Sequence, residues 1–179
     1  MKIEIKQLSL NCNSKEYEML QTIENNENGF SNPIYEKAYE EYLLWLQKED
    51  DYSKGINLPE GWIPETTYFL YVDGEPIGIG RIRHSTNKHL ESIGVGNLGY
   101  AISILYRGKG YGNILFQELL KKCISFGYNN IKLFPYKNNI QTIKVMLKNG
   151  GKIVDSFDNE KYELIIPVEK LSPEKYLVD

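Results

Sequence analysis

The chain has 179 residues, 41% of them hydrophobic and 25% charged, with a net charge of −3. That is globular composition with length enough to bury a core unaided, which excludes a disordered chain, a collagen-like chain and a small disulfide scaffold. No apolar run approaches the ~18 residues of a membrane helix, Met1–Leu10 lacks the unbroken apolar stretch of a secretion signal, and the charge argues against a nucleic-acid binder.

Ile3 to Leu10 alternates apolar and polar residues and reads as a strand. Asn13 or Ser14 then caps a helix running to about Glu27. Asn32-Pro33 starts a second helix, with Tyr35, Ala38, Tyr39, Tyr42, Leu43 and Leu46 at helical spacing as core residues. Asp51–Glu65, with two Gly and two Pro, is a loop. Thr66–Val72 and Pro76–Arg83 are strands joined at the hairpin signal Asp73-Gly74. His84–Val95 is irregular, and Asn97–Leu105 is a strand. Gly112–Phe126 is an amphipathic helix capped by Gly127. Asn130–Phe134 is a strand, Asn139–Lys148 a helix, and Lys152–Phe157 and Lys161–Val168 a final hairpin. This order predicts one α+β domain spanning residues 1–179, with a largely antiparallel sheet and about four helices.

Charge is unevenly spread. Ser14–Asp51 holds three Lys and ten Asp/Glu, whereas Ala101–Asp179 holds twelve Lys/Arg and eight Asp/Glu. Solvated helix faces explain this, as does a cation-attracting side opposite an anion-holding side. Of 21 basic residues only Arg81, Arg83 and Arg107 are arginine, and these positions are where a rigid guanidinium fork would matter. Cys12 and Cys123 read as free thiols of a reducing cytoplasm.

Two glycine-rich stretches could cradle phosphate. Gly94-Val95-Gly96-Asn97-Leu98-Gly99 spells the dinucleotide fingerprint, but a strand pattern follows it where that fingerprint needs a helix, so it is a turn. Arg107-Gly108-Lys109-Gly110-Tyr111-Gly112 follows a strand and runs into a helix. Its glycines expose successive N–H groups, the helix N-terminus adds partial positive charge, and Arg107 and Lys109 add whole charges. This reads as a diphosphate site. An ordinary strand–helix turn is the alternative.

Here the sequence resembles the GNAT superfamily of acyl-CoA N-acetyltransferases. Arg107, Gly110 and Gly112 fill the family's Arg/Gln-x-x-Gly-x-Gly/Ala motif, and Ile102 and Ile104 match its preceding Val-x-Val/Pro strand end. Asn139-Ile140-Gln141-Thr142 followed by Lys148-Asn149-Gly150-Gly151 resembles its Asn-x-x-Ser/Ala helix. Gly61-Trp62-Ile63-Pro64-Glu65-Thr66-Thr67-Tyr68 and Arg83-His84-Ser85-Thr86-Asn87 are similar to segments of a bacterial group of predicted acetyltransferases. The motif-bearing core is about 58–168.

The resemblance implies a V-shaped split between the two central strands, Asn97–Leu105 and Asn130–Phe134. It implies acetyl-CoA as co-substrate, with direct transfer to a primary amine of a small molecule or peptide in a ternary complex. N–H groups near Ile102 and Ser103 would polarise the thioester, those of Gly108 to Gly112 would hold the diphosphate, and Asn139 would bond the pantetheine arm. The family often places a Tyr seven residues after that Asn to protonate the leaving thiolate. Here the position is Met146, which has no proton to give. Tyr136 is a substitute acid, and water another. As general base His84, Glu91 and a water chain stay open. The resemblance puts the acidic segment Ser14–Asp51 on the acceptor side, which suits a cationic acceptor. It implies no metal, no nucleic acid and no membrane, and leaves a homodimer open. A non-catalytic acyl-CoA binding module on the same fold is the rival reading.

Overall fold

The computed structural model describes residues 1–170. Strand β1 (Ile3–Gln7) leads through helices α1 (Ser14–Leu20) and α2 (Tyr39–Ser53) to β2 (Glu65–Val72) and β3 (Glu75–Arg83). A short α3 (Lys88–Ser92) precedes β4 (Leu98–Ile102). Then come α4 (Tyr111–Ser125), β5 (Asn130–Leu133), α5 (Ile140–Lys148), β6 (Lys152–Ser156) and β7 (Tyr162–Pro167). Four strands form an antiparallel sheet in the order β1-β2-β3-β4, and three form a second in the order β5-β7-β6. Among the described residues there are five α-helices, one beyond the four expected, because Asn87 caps an extra turn inside His84–Val95 by accepting from the Leu90 N–H at 2.8 Å.

Strand alternation splits the core in two. Tyr68, Leu70, Ile82, Leu98 and Ile102 pack with Leu115, Phe116, Leu119 and Leu120 of α4. Phe69, Tyr71 and Ile79 pack on the other face with Met19, Leu20, Tyr42, Trp45 and Leu46 of α1 and α2. Among the described residues no helix is long and apolar enough to cross a membrane.

The first two helices differ from expectation. The capping box at Asn13 forms, with Glu16 Oε2 accepting the Asn13 N–H at 2.7 Å, but α1 stops at Leu20. Asn26 and Asn28 adopt positive φ (59° and 51°), ending any helix before Glu27. Asn32 is no helix cap. It is buried, and its Nδ2 donates to the carbonyls of Leu20 (2.8 Å) and Ile23 (2.6 Å), satisfying the end of α1. Residues 33–36 are a turn in which Glu36 has φ 59°, so α2 begins only at Tyr39.

Candidate active site

The split between the two sheets is closed at one end by Asn97. Its N–H donates to the Lys132 carbonyl (2.8 Å), and its Oδ1 accepts the Lys132 N–H (2.6 Å). A side chain thus replaces a strand neighbour at the point where β4 and β5 meet. Gly96 is required there, since a Cβ would lie 2.6 Å from the Lys132 carbonyl oxygen. Beyond this pin the strands diverge. The Arg83 N–H bonds the Asn97 carbonyl at one end of the ladder and the Ser103 N–H bonds the Ile77 carbonyl at the other. The antiparallel alternation therefore turns the backbone groups of Tyr100 and Ile102 away from β3 and into the split.

A cavity of about 950 Å³ fills this gap and extends under the segment Glu27–Ser31. One end is the turn before α4. Gly108 and Gly110 have φ of +75° and +84°, which glycine adopts without strain, and a Cβ on either would meet nothing within 4 Å. Among the described residues none of the N–H groups from Gly108 to Gly112 finds an acceptor. Five successive free donors at a helix N-terminus form an anion cradle, so the chain's own residues fit a diphosphate.

The cavity wall includes Ile102, Arg107, Gly108, Gly110, Tyr111, Gly112, Tyr136, Asn139 and Met146. Arg107 is already engaged: its Nε donates to the Ile102 carbonyl (2.9 Å), and Nη1 and Nη2 grip Glu27 at 2.5 and 2.6 Å. Asn139 caps α5, accepting the Thr142 N–H at 3.2 Å. Met146 is buried, yet faces both the core and the cavity.

Five expected site residues stand elsewhere. The Ser103 N–H is spent on Ile77, and its hydroxyl accepts from Thr22 Oγ1 at 2.8 Å. β4 ends at Ile102, so Ile104 enters a 3₁₀ turn and points outward, 62% exposed. The Lys109 ammonium lies over the Tyr106 ring, 5.3 Å from its centroid, outside the cavity wall. His84 is also outside that wall. It stacks on Phe126, just past the end of α4 remote from the cradle, with ring centroids 4.5 Å apart, and Nε2 is 2.7 Å from Thr66 Oγ1. Burial lowers its pKa, with a smaller opposing effect from Glu65. Glu91 is tied to Lys132 (3.0 Å), whose hydrogen bond lowers the carboxyl pKa, making it a poor base.

The Acetyltransferase (GNAT) family model matches residues 29–150. The chain belongs to the GNAT acetyltransferase family. No curated protein sequence matches it significantly. Among solved structures it is similar to Campylobacter jejuni N-acetyltransferase PseH in complex with acetyl coenzyme A (20% identity, 93% of this chain and 99% of that one, TM-score 0.60). It is similar also to a GNAT-family acetyltransferase of Streptococcus pneumoniae (16%, 93% and 99%, TM-score 0.63). A third likeness is to PaiA N-acetyltransferase of Thermoplasma acidophilum in complex with coenzyme A (20%, 93% and 99%, TM-score 0.59). At these identities the likeness is one of fold.

In this GNAT acetyltransferase the half of the cavity away from the cradle is built from residues that sequence reasoning did not assign. Phe30, Trp62, Arg81, Arg83 and Lys161 line it. The scarcity of arginine singled out Arg81 and Arg83, and Trp62 stood in the Gly61–Tyr68 segment, but neither signal placed these residues at the cavity. Glu24, Glu36, Glu40 and Glu41 are exposed on the first helical region, and none lines the cavity. The acidic segment reaches it only through Glu27, both of whose oxygens are held by Arg107.

Proposed function

We propose that this acetyltransferase moves the acetyl group of acetyl-CoA to a primary amine by direct attack in a ternary complex. The observation that carries the reading is the continuity of one cavity from the free N–H groups of Gly108–Gly112 to the divergent strands β4 and β5. The cradle holds the diphosphate, and Asn139 and the wall of α5 lie along the pantetheine path. The Ile102 N–H faces the thioester, its own carbonyl fixed by Arg107. Such a donor typically lowers the barrier by about 3 kcal/mol.

The amine, having lost one proton to solvent, attacks the carbonyl carbon. The C–S bond breaks, the thiolate leaves and takes up a proton, and the nitrogen loses its second. Two phenols in the wall support the protonation of sulfur. Tyr136 lies three residues past the end of β5, and Tyr100 has its hydroxyl 3.5 Å from Thr142 Oγ1. Burial raises the Tyr100 pKa, which keeps that phenol protonated. Free Cys12 and Cys123 support a cytoplasmic setting.

The test is release of free thiol from acetyl-CoA across an amine panel, with mass spectrometry of the product amine. Amine-dependent thiol release without an acetylated protein is the expected result. The thioether of Met146 at the usual acid position favours a second reading, an acyl-CoA binding module. Tight calorimetric binding of acetyl-CoA with no thiol release by any amine would establish that reading instead.

A further inference from the structure

The far half of the cavity concentrates positive charge. Arg81 and Arg83 alternate on the same face of β3, opposite Gly99 and beside Asn97, and both line the cavity with Lys161. Their counter-charges stand behind the wall rather than in it. Arg81 Nε is 3.3 Å from Glu49 and Arg83 Nη2 is 3.3 Å from Glu65, and neither carboxylate lines the cavity. Each guanidinium is only partly satisfied: Arg81 Nη1 donates to the Ser31 carbonyl at 2.8 Å and Arg83 Nη1 to the Gly96 carbonyl at 2.9 Å, while other nitrogens of both groups are buried without an acceptor. Arg81 is 92% buried, and its Nη2 has no hydrogen-bond partner among the described residues, nor has Arg83 Nε. Burial holds the Arg83 guanidinium below its usual pKa; the Glu65 carboxylate opposes this, and Arg81 beside it adds a smaller lowering. The Arg81 guanidinium is also covered by Phe30, 5.1 Å from the ring centroid. The Lys161 ammonium lies over the Tyr136 ring at 5.0 Å and has no carboxylate within bridging distance among the described residues. Asp158 accepts the Lys161 backbone N–H instead.

Glu49 and Glu65 offset Arg81 and Arg83 from behind, so the three cations leave one net positive charge, that of Lys161, at the cavity, and an anion there would offset it. The coenzyme does not supply it there. Its diphosphate cradle begins past Ile102, and Arg81 and Arg83 lie three to five residues back along β4, roughly 10–17 Å away. The acidic Glu27 is neutralised by Arg107. From this arrangement we propose that the acceptor amine carries an oxyanion within a few bonds of its nitrogen, received by Arg81, Arg83 and Lys161. A carboxylate or a phosphoryl group meets a guanidinium fork, and an amino acid is the simplest such amine. This deepens, and rests on, the proposed amine acetylation.

The experiment measures thiol release from acetyl-CoA with matched acceptors: several α-amino acids, their primary amides, their decarboxylated amines, and O-phosphoethanolamine beside ethanolamine. At least one acidic amine is expected to exceed its uncharged counterparts fivefold or more in kcat/KM, and the preferred pair tells carboxylate from phosphoryl. A Lys161→Gln variant, which removes no ion pair among the described residues, should cut that acid-to-amide ratio at least threefold. If uncharged or polycationic amines are acetylated as well as, or within fivefold of, every acidic one, the inference is overturned and the acetylation reading stands. If the ratio is unmoved in folded Lys161→Gln and also in Arg83→Gln, these cations serve packing alone and the inference is likewise overturned. If no amine releases thiol, the acetylation reading itself fails, and this inference with it.

Discussion

Replacing Gly110 by glutamate tests the anion-binding role proposed for the turn before α4. Gly110 sits at φ 84° and ψ −5°, and a Cβ there meets nothing within 4 Å. The folded state therefore bears only the left-handed backbone cost, roughly 1–2 kcal/mol, well inside an ordinary stability of about 5–15 kcal/mol. Binding suffers more. A carboxylate about 5 Å from a phosphate repels it by about 3 kcal/mol at an effective dielectric of 20, and by less than 1 in water. Taking about 2 kcal/mol, coenzyme A should bind roughly 30-fold more weakly. Two controls separate charge from strain. Gly110→Ala bears the backbone cost without the charge and should lose only a few-fold. Gly74→Glu bears both at the β2–β3 turn, where φ is +84° and space is equally open, and should bind as the parent does. Calorimetric titration with coenzyme A, with urea unfolding of each variant, makes the measurement. In 1 M salt, with a Debye length of about 3 Å, the glutamate-specific part should shrink. A folded Gly110→Glu variant that binds coenzyme A within twofold of the parent would refute the placement of the diphosphate.

Glu27→Gln should tighten coenzyme A binding a few-fold, because it removes a carboxylate that holds Arg107; its stability effect should stay within about 1 kcal/mol, as for other exposed pairs. Weaker binding would mean instead that the ion pair braces the cradle. Met146→Tyr should cost about 1–3 kcal/mol through overpacking of a buried position, while raising kcat for amine acetylation above that of Met146→Phe. Equal rates for the two variants would show that the hydroxyl does not reach the sulfur. His84→Asn should change kcat/KM less than about threefold and flatten the acid limb of stability. The folded pKa of His84 is lowered, so its contribution is complete above the unfolded value of about 6.5 and is lost as pH falls below it. Urea midpoints of parent and variant between pH 7.5 and 5 check this. An activity profile that follows His84 would restore it as the base.

Sequence alone determined what is chemically local. Asp73-Gly74 turns β2 into β3 because both residues tolerate positive φ, at 49° and 84°. Asn13 and Asn139 cap helices with their own side chains, and the glycines after Arg107 open the start of α4. Each depends on a few neighbouring residues, so spacing and residue type suffice. Tertiary structure decided whatever needed a partner far along the chain. Asn32 looked like a cap and became a clamp, because the carbonyls of Leu20 and Ile23 reach it. Ser103 lost its N–H to Ile77 on the next strand, and His84 was carried by β3 to Phe126, outside the cavity wall. Arg107 met Glu27, 80 residues away. The two-residue spacing of Arg81 and Arg83 put them on one strand face, but only the packing of α2 set Glu49 behind one and the β2 strand Glu65 behind the other. A long-range contact forms when the whole core closes, and the free energy that selects it belongs to the assembled packing rather than to any segment that a reader of the sequence can isolate.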